Sequence, residues 1–396
     1  MTVGFKRVPG QIGFDRLPAA GQPTGVPMPP DPQIITDLLA LAIEHSASDL
    51  HLKAGRPALM RVGGQLVEAE MAPLPAETLH AFIAATVPER FRARWQADQQ
   101  VDYALDRTVS GHGRYRVNAY VQRGERALAL RLVKSTPPDF AALNLDAPGL
   151  TSLLASRQGL LLVCGPTGSG KSSTLAAMLR HLNEHEALHV VTLEDPIEFV
   201  FADQRCSFSQ REVGIDVADF PSGLRAALRQ DPDVILLGEM RDRETFETAQ
   251  HAAETGHLVL STLHAGSVQQ AVQRMLEFYP PEQLDLVKRS LAAALRAVVV
   301  QTLVPRADGH GVLPACEILV VDSLARRMLG EGQFERIPEL IEAGANEGSR
   351  SLNKDLCRLI RAGRVAKEVG LQVSSNPKGL EMNLAGITFA ASRIVS

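Results

Sequence analysis

The sequence predicts two successive folded modules, a smaller α+β module followed by a larger α/β module. Three observations lead to this fold class. From Leu150 onward, short apolar runs alternate with helical patterns, which is typical of parallel strands joined by helices. Before that point, an amphipathic helical pattern is followed by hairpin signals. Between the two regions, a Pro-containing stretch breaks both patterns, as an interdomain linker does.

The first module is expected over residues 31–134. Residues 1–30 are rich in Gly and Pro and have too few apolar residues to pack, which favours a disordered leader. A helix with one broad apolar face comes next, and two hairpins follow it, one around Gly63-Gly64 and the other around Arg123-Gly124-Glu125. A helix combined with antiparallel strands indicates an α+β domain.

The second module is expected over residues 149–396, after a linker at 135–148. Its predicted strands are 160–164, 189–193, 234–237 and 257–263. The last part reads as mostly helical, including 281–297 and 352–362.

The first predicted strand of this module leads into a phosphate-binding pattern. Residues 165–172 match G-x-x-x-x-G-K-[ST] in full, and a helical pattern follows. The glycines allow successive backbone N–H groups to surround phosphates at a helix start. Lys171 would reach the β and γ phosphates of ATP, and the Ser172 hydroxyl would bind Mg²⁺. The predicted nucleotide-binding residues are Gly165, Pro166, Thr167, Gly168, Ser169, Gly170, Lys171, Ser172 and Ser173.

Two acidic stretches follow later strands, at the edge where open α/β sheets bind ligands. Glu194 opens Glu-Asp-Pro-Ile-Glu and could position and deprotonate an attacking water, although a solvated acidic turn explains this stretch equally well. Glu239 lies in Gly-Glu-Met-Arg-Asp, an irregular Walker-B-like end in which Gly238 stands where many such ATPases carry an aspartate. Glu239 is therefore the first carboxylate available to the water shell of the metal or to the nucleophile.

Histidines and arginines supply further candidates. His257 begins the fourth strand and His264 ends it. A lone histidine is more often structural, but His264 lies where a γ-phosphate sensor would be. Arg114, Arg116 and Arg131 belong to the first module, where arginines usually serve solubility or ion pairing. Their functional alternative is to act as arginine fingers across the domain joint or a subunit boundary.

Composition narrows the possible partners. With 41 basic and 45 acidic residues the net charge is -4, which argues against broad, non-specific nucleic-acid binding but does not exclude a local basic groove. The four cysteines are isolated, so neither a zinc site nor a disulfide framework is indicated, and a reducing cytoplasm is expected. No apolar run approaches the roughly 20 residues that span a bilayer, so we expect membrane association only through a partner.

Four motifs together resemble the type II/type IV secretion ATPase family, and more closely its type IV pilus retraction ATPases of the PilT and PilU type. Residues 165–172 resemble the Walker A motif, 192–198 the Asp box, 231–242 the Walker B motif and 255–264 the His box. The similarity extends upstream to 47–52 and 114–118, so it covers about residues 31–330.

The resemblance implies a PAS-like N-terminal domain, a RecA-like ATPase domain with a helical C-terminal part, and a homohexameric ring that binds ATP and Mg²⁺. It implies a cytoplasmic motor peripheral to the inner membrane, with the pilus platform protein and a second pilus ATPase as candidate partners and no direct nucleic acid. Carried over by position, Lys171 is catalytic, and Glu194 and Glu239 share the duties toward the metal's water and the nucleophile, which leaves open which of them is the general base. Glu239 also reaches Mg²⁺ through water. His257 and His264 form the His-box pair, and Arg114, Arg116 and Arg131 face phosphate.

Family features favour retraction over extension without settling the PilT or PilU subtype. Secretion and extension relatives usually carry a tetracysteine zinc module and a long N-terminal extension, which are not expected here. The retraction signature Ala-Ile-Arg-Asn-Leu-Ile-Arg-Glu aligns with residues 324–331, where Arg326 and Glu331 are kept and Gly330 replaces the second arginine. The stretch 376–380 is more similar to PilU-type tails.

Three functions are therefore weighed. The leading one is a motor in which ATP hydrolysis drives pilus retraction, with a PilU-like accessory role as its variant. A RecA-like nucleic-acid translocase is the second, but one tryptophan and no basic run with interleaved aromatic residues speak against it. A regulatory ATP-binding protein without turnover is the third, and the presence of both Glu194 and Glu239 argues against it.

Overall fold

A computed structural model of the chain describes residues 11–12, 33–106, 113–134, 136–344 and 347–387. The chain divides into two compact units, residues 1–135 and 136–396. Of the predicted leader, only Gln11 and Ile12 belong to the described residues, and the rest lies outside them. No helix in the described part of the chain is both long and apolar enough to cross a bilayer.

The described residues of the first unit form a seven-stranded sheet with three helices. Its strands are β1 (Gln11–Ile12), β2 (Asp49–Lys53), β3 (Leu59–Val62), β4 (Gln65–Ala69), β5 (Gln100–Leu105), β6 (Arg114–Gln122) and β7 (Glu125–Val133). Its helices are α1 (Gln33–Glu44), α2 (Ala76–Thr86) and α3 (Glu89–Asp98). The strand order is β1-β4-β3-β2-β7-β6-β5, and all neighbours are antiparallel except β1 and β4.

Both predicted hairpins are confirmed, and the local sequence explains them. Gly63 and Gly64 have φ of 56° and 83°, and Arg123 and Gly124 have φ of 51° and 81°. Two successive residues with positive φ are what the tight turns of two-residue hairpins require, because their twist matches that of the flanking strands. The apolar side of this sheet packs on α1, where the buried Tyr115 hydroxyl donates to the Leu39 carbonyl at 2.6 Å.

The described residues of the second unit form another seven-stranded sheet, in the order β10-β9-β11-β12-β8-β13-β14. Its strands are β8 (Gly159–Cys164), β9 (His189–Glu194), β10 (Ser207–Glu212), β11 (Val234–Leu237), β12 (Leu258–Leu263), β13 (Leu295–Pro305) and β14 (Val312–Val320). Neighbours are parallel except β13 and β14. The carboxyl ends of β8, β9, β11 and β12 therefore meet at one edge.

Helices cover both faces of this sheet. They are α4 (Ala147–Leu154), α5 (Lys171–His185), α6 (Phe220–Ala227), α7 (Arg243–Glu254), α8 (Val268–Leu276), α9 (Leu284–Ala294), α10 (Ser323–Gly330), α11 (Ile337–Ala343), α12 (Leu352–Arg361), α13 (Lys367–Val373) and α14 (Pro377–Leu384). Strand β8 shows the two-sided burial, since Leu160 and Leu162 join one core and Leu161 and Val163 join the other. A strand buried on both faces needs a continuous apolar run, which is why the sequence identified it.

The α/β prediction is confirmed, but the predicted helix at 281–297 is wrong at its end. A short 3₁₀ turn at Pro281–Gln283 leads into α9, which ends at Ala294, and β13 starts at once with Leu295. The run Val298, Val299 and Val300 prefers the extended conformation and pairs with β8. The predicted helix at 352–362 is confirmed as α12.

The stretch predicted to be a linker, 135–148, contains packed residues. Phe140 is buried and belongs to the core around α5, and α4 begins at Ala147. Asp139 lies 3.8 Å from the Arg180 guanidinium on α5. From residue 136 onward the chain therefore belongs to the second unit.

Candidate functional site

The loop predicted to bind phosphate lies between the buried strand β8 and helix α5. Gly165 and Gly170 have φ of 146° and 90°, a backbone region that side chains rarely adopt. A Cβ atom at Gly165 would lie 2.4 Å from the carbonyl oxygen of Gln301 on β13. Both the backbone angles and the space therefore require glycine at the start of the loop.

Lys171, the first residue of α5, is held against this loop. Its ammonium donates to the carbonyl oxygens of Gly165 at 3.0 Å and Pro166 at 3.1 Å. Partial burial lowers the pKa of Lys171 from its ordinary value. The side chain thus places a cation where the loop meets the helix N-terminus, and both features attract phosphate.

Glu239 follows the end of β11, and its side chain is 16% exposed. It forms an ion pair with Arg241, and His264 Nε2 lies 3.5 Å from its second carboxylate oxygen. Arg241 also approaches the Asp195 carboxylate at 3.9 Å. The Walker-B-like turn and the turn after β9 are therefore joined through one arginine.

His264 directly follows β12 at the same edge. Burial lowers its pKa, and the charges of Lys171, Arg274 and Arg241 lower it further. At neutral pH the ring is accordingly neutral, so it can either donate or accept a hydrogen bond. The structure brings Lys171, Glu239 and His264 together, as the motif positions predict.

Glu194 ends β9 and occupies a different environment from Glu239. The residue is 7% exposed, and its carboxylate accepts hydrogen bonds from Thr192 Oγ1 at 2.7 Å and Gln210 Nε2 at 3.3 Å. Burial raises the pKa of Glu194 to about 7, although both hydrogen bonds oppose this shift. Glu194 is thus a carboxyl group poised to gain or lose a proton near neutral pH.

His257 is not brought to this edge within the chain. It precedes β12, so it lies at the opposite end of that strand, about 20 Å away by strand length. One ring nitrogen, Nδ1, lies 3.0 Å from the Ala252 carbonyl oxygen at the end of α7.

The three candidate arginines lie on the sheet of the first unit. Arg114 pairs with Asp106 at 2.7 Å, and Arg131 pairs with Asp49 at 2.8 Å. Arg116 is exposed and lies directly opposite Arg131 in the register of β6 and β7. Ion pairing, the ordinary role considered for these residues, thus applies to two of them.

Sequence reasoning missed three residues that hold the site. Gln301 hydrogen-bonds the phosphate loop, Gln210 hydrogen-bonds Glu194, and Arg241 pairs with Glu239. The sequence did contain a signal for Gln301, because a single amide side chain follows the apolar run Val298, Val299 and Val300. Gln210 had none, because its role depends on the pairing of β10 with β9.

The residues present fit a magnesium-bound nucleotide. In the described ranges, no group of three or more His, Cys, Asp or Glu side chains could hold a metal ion by itself. Mg²⁺ at nucleotide sites needs only one or two protein oxygens, because phosphates and water supply the others. The exposed Ser172 hydroxyl in the first turn of α5 is one such oxygen, and Glu239, beside His264 at the same edge of the sheet, is the candidate to act through water.

A mostly parallel sheet with this loop at its carboxyl edge defines the class of P-loop nucleotide-binding folds. Within that class, the chain belongs to the family of type II/IV secretion system proteins, whose family model matches residues 30–331.

Individual relatives cover most of the chain. The uncharacterized protein YggR of Escherichia coli (strain K12) is 41% identical over 330 residues, which are 83% of this chain and 99% of that protein. The type IV pilus retraction ATPase PilT of Pseudomonas aeruginosa is 37% identical over 348 residues, covering 87% of this chain and 99% of PilT. The crystal structure of the pilus retraction motor PilT with bound ADP matches with a TM-score of 0.80 at 38% identity, over 88% of this chain and 98% of that one.

Proposed function

We propose that this protein is an ATP-hydrolysing motor that drives retraction of type IV pili. The observation that carries the proposal is the convergence of Lys171, Glu239 and His264 beside a loop built for phosphate, in a chain similar over most of its length to PilT. The proposed reaction converts ATP and water to ADP and phosphate.

The residues are assigned the following roles. Backbone N–H groups of the loop and the Lys171 ammonium bind the phosphates, and the Ser172 hydroxyl holds Mg²⁺, which offsets phosphate charge when bound. We assign Glu239 to orient the attacking water and accept its proton, and His264 to contact the γ phosphate. The water shell of the metal is assigned to Glu239 and Glu194 together.

The proposed assembly is a homohexameric ring beneath the pilus platform protein at the cytoplasmic face of the inner membrane. Within the ring, we assign Arg114, Arg116 and Arg131 the role of arginine fingers for the nucleotide of a neighbouring subunit. The PAS-like character of the first unit, direct contact with the platform and the absence of direct nucleic-acid binding belong to the same proposal.

A PilU-like accessory role is the second candidate. In the retraction signature, Arg326 donates to the Ala292 carbonyl at the end of α9 at 3.1 Å, which explains its presence by helix capping. A Cβ atom at Gly330 would meet only the Ala292 Cβ, at 3.9 Å. Packing therefore does not require the glycine that replaces the second arginine, which favours a functional difference from PilT.

The proposal is tested in the native host by deleting the gene and counting surface pili. Extra, immobile pili and lost twitching are expected, with recovery by the wild-type gene and by Lys367→Ala, an exposed control lysine, but not by Lys171→Ala. Bald cells would instead indicate an extension motor. Retraction that persists until a second retraction ATPase is also deleted would indicate the accessory role.

A further inference from the structure

We infer that Gln301 is a positioning residue for nucleotide binding, because its side-chain amide sets the orientation of the peptide between Ser169 and Gly170. The inference rests on the proposed function of the loop and adds to it a residue from a strand that no nucleotide-binding motif includes. Gln301 lies on β13 and is 3% exposed.

Both the nitrogen and the oxygen of the Gln301 side-chain amide form hydrogen bonds. Nε2 donates to the Ser169 carbonyl oxygen at 2.6 Å, and Oε1 accepts from the Thr174 hydroxyl at 2.7 Å. A carbonyl oxygen can only accept, so the amide nitrogen must face Ser169 and the amide oxygen must face Thr174. A buried amide is unfavourable unless it is hydrogen-bonded, and here that requirement is met only when the loop has this shape.

Anchoring the Ser169 carbonyl also determines where the next N–H group points. In a planar trans peptide, the C=O and N–H bonds point in opposite directions. With the Ser169 carbonyl directed at Gln301, the Gly170 N–H is directed away from Gln301, toward the side on which the proposed function places the phosphates. Gln301 thereby turns a backbone donor toward the ligand without touching it.

The close fit of the loop against Gln301 supports this role. A Cβ atom at Gly170 would lie 2.7 Å from Gln301 Nε2, and one at Gly165 would lie 2.4 Å from the main-chain carbonyl oxygen of Gln301. The first and sixth residues of the phosphate-binding pattern are thus both packed on one residue of the neighbouring strand. Any side chain at either position would separate the loop from this support.

Because Gln301 acts on a loop that binds diphosphate and triphosphate alike, its loss should weaken nucleotide affinity more than the chemical step. Gln301→Glu is the sharpest variant, since it keeps the shape of the side chain. An ionised carboxylate can accept from Thr174 but cannot donate to Ser169, whereas a protonated carboxyl can do both. The affinity of the variant should therefore depend on pH.

The experiment measures the Kd of a fluorescent ADP analogue for the full chain as pH is varied. Gln301→Glu is expected to bind about tenfold or more weakly than wild type at about pH 8.5 and to approach wild type at about pH 6. The titratable groups on the surrounding elements, Cys164, Lys171, Cys316 and Glu317, are the same in both proteins. The ratio of the two Kd values at each pH therefore isolates residue 301.

Two further variants separate positioning from folding. Thr174→Val removes the other hydrogen bond of the amide; it should lower the melting temperature while changing the Kd by less than about threefold. Gln301→Met, similar in length but without an amide, should raise the KM for ATP about tenfold at every pH, with kcat within about threefold of wild type. It also replaces Gln301→Glu as the test if that variant does not fold.

Equal Kd values for wild type and both Gln301 variants, while Lys171→Ala fails to bind, would overturn the inference and leave the proposed function intact. A melting temperature that falls without a change in Kd or KM would overturn it too, because Gln301 would then be only structural. If wild-type protein binds no ADP analogue, the proposed function fails and this inference falls with it.

Discussion

Glu194 and Glu239 show how the same residue type acquires different properties at neighbouring strand ends. Glu239 is paired with Arg241 and lies beside His264, whereas Glu194 is surrounded by the neutral donors Thr192 and Gln210. Neighbouring cations favour a charged carboxylate, and burial among neutral groups favours a protonated one. The position of Glu239 beside His264, rather than its basicity, is the reason for assigning the proton-accepting role to Glu239.

Glu239→Gln should bind ATP but hydrolyse it about a hundredfold or more slowly, because the proton acceptor is lost while the phosphate loop remains. The check is steady-state phosphate release beside a direct binding measurement. Glu247→Gln, which alters an exposed carboxylate paired with Arg243, serves as the control and should retain activity. Near-normal turnover in Glu239→Gln would remove this residue from the catalytic role.

The raised pKa of Glu194 predicts a pH-dependent stability. The folded protein keeps this proton up to about pH 7, whereas the unfolded chain releases it near the ordinary value of 4.5. The contribution of Glu194 to the free energy of unfolding therefore falls as pH rises through this interval and is constant above it. Glu194→Gln carries no such proton, so its stability relative to wild type should increase by roughly 3 kcal/mol across the same interval.

Urea unfolding of both proteins at about pH 5 and about pH 8 measures this difference, and all other titrating groups cancel between them. A difference between the two proteins that does not change with pH would show that Glu194 is ionised in the folded state across the range.

The site residues that the sequence predicted belong to local patterns, and those it missed do not. Lys171 and the loop glycines follow from the spacing within one strand–loop–helix unit. Gln210 and Gln301 reach the site because β10 pairs with β9 and β13 pairs with β8. Such long-range pairings are decided by tertiary packing, which single-sequence patterns do not contain.

At the scale of elements, the edge strand β14 is covered by the chain that follows it. The N–H groups of Cys316, Ile318 and Val320 donate to the Asp355 carboxylate, the Arg350 carbonyl and the Ser349 hydroxyl. An uncovered edge would present a row of unpaired backbone groups to other chains. The segment from residue 349 into α12 thus completes the sheet.

Asp355→Ala should destabilise the second unit by about 3 to 5 kcal/mol, because the 1% exposed carboxylate also pairs with Arg350 and Arg358. Urea unfolding followed by circular dichroism measures the change. Tryptophan fluorescence would not suffice, because the single tryptophan, Trp95, belongs to the first unit.

The matched control is Asp308→Ala, which breaks an exposed pair with Arg306 and should cause a much smaller loss. Equal losses of unfolding free energy in the two variants would contradict the stabilising role of the buried Asp355 carboxylate.

Elements in which the apolar residues follow one regular pattern were predictable from the sequence. Elements in which helix and strand patterns run together were not. Strands β8, β9, β11 and β12 were identified because each is a short apolar run. The α9–β13 boundary was missed because Leu291, Ala292 and Ala294 continue directly into Leu295 and Ala297 without a glycine or proline. The valine run favours a strand only from Val298 onward, so the pairing of Leu295 and Ala297 with β8 determines where that helix ends.

At the scale of the whole molecule, the two units have separate cores and separate sheets. The domain boundaries at 31–134 and 149–396, the leader at 1–30 and the linker at 135–148 stay predictions. A motor that acts on a pilus needs a way to join the hydrolysis cycles of several subunits, and the proposed ring supplies one.

Light scattering on the purified chain, with and without nucleotide, should give six times the mass of one subunit, because the proposed ring is a homohexamer closed by one repeated interface. A chain that stays monomeric at all concentrations, with and without nucleotide, would contradict the ring. Lys367→Ala again serves as the surface control and should assemble like wild type.

The central claim is that ATP bound at the loop beside Lys171 is hydrolysed, and phosphate release by purified wild type and Lys171→Ala tests it most directly. Wild type should release phosphate through many turnovers, and Lys171→Ala should fall by about a hundredfold or more, because the cation at the phosphates is lost. Equal rates in the two proteins, or no turnover by wild type despite tight ATP binding, would contradict the claim.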